Sequence, residues 1–131
     1  MPITAEPEPY SSPETPMLDS LAKQSLVIGF EANTSEVRTF SRDALQRLAK
    51  ELQGSGALPV TITGHTNGGK KEISYRLGLE RAQTVKDLLV ELGAPASLIS
   101  TASRGFDERI APETSDENRA LNRRAVISLT Q

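Results

Sequence analysis

The chain of 131 residues contains no cysteine and no tryptophan. Without thiols there are no disulfides and no thiolate chemistry, but the compartment stays open, because an envelope protein can manage without cysteine. Aromatic residues make up 4% of the chain, which argues against a surface built for stacking bases. A formal net charge of −2 supplies no global basic field for nucleic acid or an anionic bilayer. No spanning apolar run and no leader peptide is present, so any export signal or membrane anchor is expected in a segment upstream of this chain. What is present is a globular balance, 37% hydrophobic and 24% charged, with length for one domain and a modest core.

Pro-Ile-Thr-Ala-Glu-Pro-Glu-Pro-Tyr opens the chain, and proline and acids recur to about Asp19 without an apolar period. Such a segment buries too little surface to offset its ordering entropy, so residues 1–22 read as a flexible linker, with a proline-rich recognition motif as the alternative. Residues 23–131 form the domain. Leu26 to Phe30 reads as a first strand. Ser41 to Leu52 is a helix: Ser41 can cap it, Phe40 can staple onto Leu45, and Leu45, Leu48 and Leu52 supply the buried stripe ahead of Gly54. Val60 to Thr63 is a central strand that breaks at Gly64. A second helix from Ser74 to Leu92 carries Leu77, Val85, Leu88 and Leu89 on one face. Leu98 to Ala102 is a third strand, and Ala125 to Leu129 a last one after a long polar connection that reads as a loop with room for one helical turn. The order β-α-β-α-β-loop-β predicts a two-layer α/β (α+β) sandwich, a mixed sheet with its helices packed on one face.

The stretch between the second strand and second helix is the candidate site. Gly64-His65-Thr66-Asn67 opens a polar, glycine-rich loop through Gly68, Gly69, Lys70 and Lys71, and a helix N-terminus after a strand aims backbone N–H groups at a ligand. Arg81 falls on or beside the buried stripe of the helix. A buried guanidinium needs a partner: either a carboxylate of its own chain, or a ligand carboxylate gripped bidentately. Gly64 to Lys70 also fits the phosphate-binding pattern G-x-x-x-x-G-K, but Lys71 stands where the metal-binding hydroxyl belongs. His65 is the only histidine, with no second His or Cys for a metal and no serine elbow for a nucleophilic triad, and reads as a strand-end residue bonded to backbone. Arg123 and Arg124 precede the last strand. One is expected to pair with an acid such as Asp107 or Glu108, unless Arg123 lines the groove of Arg81; Asn118 and Arg119 are candidates for its rim.

Gly64-His65-Thr66-Asn67, then Leu77 through Val85 with its Arg81-Ala82 pair, then Gly105-Phe106-Asp107-Glu108, then Asn122-Arg123-Arg124-Ala125-Val126-Ile127 resemble the OmpA-like peptidoglycan-binding domain, the family of the OmpA C-terminal domain, Pal and MotB. The resemblance runs from about Leu26 to the C-terminus. It implies non-catalytic binding of the peptide stem of the bacterial cell wall, anchoring a larger periplasmic protein that a missing upstream segment attaches to the inner or outer membrane. By resemblance Arg81 takes the carboxylate of diaminopimelate. The family's aspartate, which grips the ammonium of that residue, is here Asn67. Thr66, Gly68, Ser74, Leu77 and Arg123 complete the expected contacts, with Ser74 in place of the family's helix-start asparagine and a loop one residue shorter. An asparagine accepts a hydrogen bond from an ammonium without neutralising it, a loss on the order of 1–3 kcal/mol. The alternative is a degenerate domain serving protein–protein contact or homodimerisation in a secretion or motor complex. No metal, cofactor or nucleic acid is expected.

Overall fold

The computed structural model describes residues 21, 24–30, 34, 41–54, 57–109, 111–112 and 114–130. The proline-rich segment before Leu21, and the staple at Phe40, lie outside the described residues. In chain order the elements are strand β1 (Leu26–Gly29), helix α1 (Arg42–Leu52), strand β2 (Val60–His65), helix α2 (Lys71–Glu91), a 3-10 turn (Ala96–Leu98), strand β3 (Ile99–Gly105), helix α3 (Asp116–Asn122) and strand β4 (Arg124–Leu129).

Alternation decides which face of the sheet is covered. Leu26, Ile28, Val60, Ile62, Ile99, Ala125 and Ile127 are buried, and they pack with Leu45, Leu48 and Leu52 of α1 and Ala82, Val85 and Leu89 of α2 in one core. The intervening positions face the other way: Val27 is 48% exposed, and the Thr61 hydroxyl meets the Thr130 hydroxyl at 2.8 Å in solvent. Leu21 also lies in that core. The strands run in the order β1-β4-β2-β3. Strands β2 and β3 are parallel, as a helical crossover requires, and β4 is antiparallel to both β1 and β2. The expected two-layer sandwich with a mixed sheet is what forms. Its last strand enters between the first two, so β1 and β2 never touch as neighbours.

Several boundaries move. Strand β2 does not break at Gly64 but continues to His65 through an irregularity in its pairing with β3, which re-aims the chain where the loop begins. Helix α2 starts at Lys71, three residues before Ser74, and no side chain caps it. Its buried positions are Ser74, Gly78, Arg81, Ala82, Val85, Leu88 and Leu89, whereas Leu77 is only half-buried. The stripe is rotated because a glycine, not a leucine, meets the sheet. A β-carbon on Gly64 would stand 1.6 Å from the Gly78 carbonyl oxygen, and one on Gly78 would stand 2.4 Å from Ser103 Oγ. Backbone touches backbone there, a contact open only to glycine. Ser41 occupies the N-cap of α1 in a helical conformation and makes no capping bond. The long polar connection contains α3, whose N-cap Ser115 accepts from the Asn118 N–H at 3.1 Å.

Candidate functional site

The site is built where β2 ends against α2. Beyond His65 the ladder gains one more rung, Thr66 N–H to the Gly105 carbonyl at 2.8 Å. The chain then turns through Asn67, Gly68 and Gly69, the last at φ 103°, a left-handed conformation that suits glycine. Ser74, buried on the first turn of α2, donates its hydroxyl to the Gly68 carbonyl and so ties the loop to the helix that follows. On the other side Ser103 donates to the Tyr75 carbonyl at 2.7 Å and accepts from Gly105 N–H, fixing β3 to the same turn.

Arg81 lies beneath this loop with 0% of its surface exposed. It sits in the middle of α2, and helical side chains lean back toward the preceding turns. That lean carries its Nη1 to the His65 carbonyl at 2.9 Å and its Nε to the Thr34 carbonyl at 2.8 Å. The guanidinium carbon stands 5.3 Å from the centre of the Phe30 ring, within cation–π range. Burial, and then the neighbouring Arg123, push its pKa down to about 10.

Arg123 joins the same end of the sheet through the Phe30 backbone. Its Nε donates to the Phe30 carbonyl at 3.2 Å, while Phe30 N–H donates to the Arg123 carbonyl at 2.9 Å. The structure therefore gathers Thr66, Asn67, Gly68, Ser74, Arg81 and Arg123 at one end of the sheet. Leu77, half-buried on α2, contributes only aliphatic surface. The expected ion pair of the arginine couple takes a different form. Arg124 is buried and donates to the backbone carbonyl of Glu108 at 3.0 Å, while the Glu108 carboxylate lies 3.6 Å from Arg104. The backbone serves here while the Glu108 carboxylate is turned to Arg104. Asn118 and Arg119 engage neighbours in their own turn, Thr114 and Asp116.

His65 is 3% exposed, and its Nδ1 has no hydrogen-bond partner among the described residues. Burial first, then Arg124 and Arg104, lower its pKa to about 4, so it is a neutral ring at physiological pH. Its contribution to the site is its backbone carbonyl. Thr66 Oγ1 is likewise buried and has no hydrogen-bond partner among the described residues.

Three participants were given no role in the site by the residue pattern. Phe30 reads as a strand end, yet its ring supports Arg81. Arg109 sits in the polar connection, yet its Nε donates to the Asn67 carbonyl at 3.0 Å and its guanidinium lies over Phe106 at 4.9 Å. Asn122 is fully buried and exchanges both amide bonds with Ala111, which pins the connection back over the sheet. A polar residue just ahead of an apolar strand was the one available hint of Asn122.

A glycine-bounded loop over a buried arginine, at the end of a β1-β4-β2-β3 sheet, defines a binding module. The chain belongs to the OmpA family, which residues 29–123 match. It is 32% identical over 127 residues to the outer membrane protein Omp38 of Acinetobacter baumannii, covering 95% of this chain and 35% of that protein. It is 32% identical over 103 residues to the peptidoglycan-associated lipoprotein of Agrobacterium fabrum, covering 78% of this chain and 58% of that protein. The crystal structure of the peptidoglycan-associated lipoprotein from Burkholderia pseudomallei superposes with a TM-score of 0.79 at 26% identity, covering 94% of this chain and 100% of that one. The chain thus spans about a third of the first relative's length and under two thirds of the second's.

Proposed function

We propose that this domain binds peptidoglycan non-covalently through its peptide stem and so holds a larger periplasmic protein to the cell wall, without catalysis. The observation that carries the reading is the 2.9 Å bond from Arg81 Nη1 to the His65 carbonyl. It makes the motif arginine and the motif loop one unit, with a cation at the root of a turn that presents Thr66, Asn67 and Gly68. Arg123, bonded to the Phe30 carbonyl, adds a second cation to the same end of the sheet. Arg81 is held where burial and Arg123 both disfavour its charge, so a carboxylate arriving beside it gains a strong, charge-assisted contact. Two relatives that share its sequence or its fold are named for association with peptidoglycan.

In this reading Arg81 takes the diaminopimelate carboxylate, Asn67 accepts from its amino group, and backbone N–H groups near Thr66 and Gly68 orient the peptide. Because Arg81 is fully covered, the ligand carboxylate must displace a contact, and the bond to the Thr34 carbonyl, which lies outside the loop, is a candidate. The test is co-sedimentation with purified sacculi. The wild-type domain is retained, and Arg81→Ala, checked for folding by circular dichroism, loses at least about tenfold in retention. Equal sedimentation of the two proteins, or none by either, removes the proposal. Concentration-dependent self-association without sacculus binding supports an interaction module instead.

A further inference from the structure

Arg109 is exposed, and the geometry around it is that of a built contact. Its Nε is committed to the Asn67 carbonyl at 3.0 Å, and its guanidinium is stacked on Phe106 with 4.9 Å from carbon to ring centre. A guanidinium has a fixed fork, so engaging Nε on one edge leaves the edge formed by the two Nη groups. No carboxylate among the described residues lies within ion-pair distance of it; Glu108, the nearest in sequence, turns its carboxylate to Arg104. The side chain is thus held at two points on an exposed residue beside Asn67, and its Nη groups have no hydrogen-bond partner among the described residues.

Arg81 and Arg109 grip the same turn. One bonds the carbonyl of His65 from beneath, the other the carbonyl of Asn67 from outside. Two residues span at most ~7 Å, so the two cations flank a single short stretch of loop. Lys70 and Lys71, both exposed, add to the positive charge on the outer side.

We infer that Arg109 is a second carboxylate-binding point, which reads a carboxyl group on the stem residue next to the one held over Arg81. The chemical class is a peptide with carboxylates on adjacent residues. In a cell-wall stem that is the free α-carboxylate of the γ-linked glutamate beside diaminopimelate. This rests on the peptidoglycan reading and adds a selectivity to it: amidating the glutamate α-carboxylate removes the acceptor and weakens binding. Stacking on Phe106 restricts the side chain before the ligand arrives, so less rotamer freedom is lost on contact.

The experiment is a calorimetric titration of the full chain with the tripeptide L-Ala-γ-D-Glu-meso-diaminopimelate and with its glutamate α-amide. Wild type, Arg109→Ala and Arg109→Lys are compared at low and high salt. The wild type is expected to prefer the acid by about five- to tenfold, a margin that narrows as salt screens the exposed pair. Arg109→Ala binds both peptides alike, and Arg109→Lys keeps part of the preference, having charge but no fork. A wild type that binds the acid and the amide equally overturns the inference while the wall-binding function survives. Arg109→Ala weakened equally toward both peptides, with the preference intact, also overturns it, since that is loop positioning through Asn67. If the wild type binds neither peptide, the inference and the function beneath it both fall. The amide arm needs no mutation, so a misfolded variant does not protect the idea.

Discussion

Replacing Gly64 with alanine tests the contact on which fold and site both depend. The added methyl would stand 1.6 Å from the Gly78 carbonyl oxygen, where real contacts stay beyond 3.0 Å. The obstructing atom is helix backbone, so no side-chain rotation relieves it. Helix α2 must move off the sheet by more than about 1 Å, and a gap of 0.5–1 Å already forfeits a quarter to a half of each dispersion contact it opens. Ala82, Val85, Leu88 and Leu89 all sit on that face. The expected cost is at least ~3 kcal/mol, above the usual range for overpacking, out of a total stability on the order of 5–15 kcal/mol. Urea unfolding followed by circular dichroism measures it. With a slope of ~1–2 kcal/mol/M the midpoint falls by about 2 M, or the variant does not fold. Gly29→Ala is the control: nothing lies within 4 Å of its new methyl, and its midpoint should match wild type or rise slightly. Retreat of α2 also draws Arg81 away from the His65 carbonyl, so any folded Gly64→Ala protein should bind sacculi poorly. A midpoint within ~0.5 M of wild type would refute the close-contact argument.

Asn67→Asp places a carboxylate where the loop has a neutral amide, and binding of the diaminopimelate tripeptide should tighten about tenfold at pH 7, by titration; unchanged affinity would show that the ligand amine does not reach residue 67. His65 gives a pH signature. Its pKa falls from 6.5 unfolded to about 4 folded, so the fold favours the neutral ring. The unfolded chain therefore binds the extra proton between those values. Stability from this residue is complete above pH 6.5 and is lost as pH falls toward 4, a change on the order of 3 kcal/mol. Subtracting the stability–pH curve of His65→Gln from that of wild type isolates it, and a flat difference would mean that the ring is not held neutral.

Much of the architecture was legible because it rests on short-range pattern. The alternation of Val60 to Thr63 and of Ala125 to Leu129 located two strands, and the leucines of α1 its buried stripe. Boundaries failed where a long-range contact overrode local preference. Gly64 reads as a strand breaker, yet the strand runs on because the Gly78 backbone packs over it. Leu77 reads as core by helical spacing, yet Gly78 takes the central place. Ser115, not Ser41, proved to be the capping serine.

The site divides in the same way. Arg81 stands out from the sequence because a cation on a buried stripe needs an explanation at any tertiary arrangement. Arg109 does not, since nothing local distinguishes it from other exposed arginines. Composition, periodicity and the motif around Asn67 determined the class of fold and the neighbourhood of the site, because those depend on residues near one another along the chain. Only the tertiary structure decided that β4 lies between β1 and β2, that Arg81 bonds backbone carbonyls of Thr34 and His65, and that Arg109 reaches the loop from 42 residues away. Such contacts are chosen by the packing of surfaces distant in sequence, which local preference does not encode.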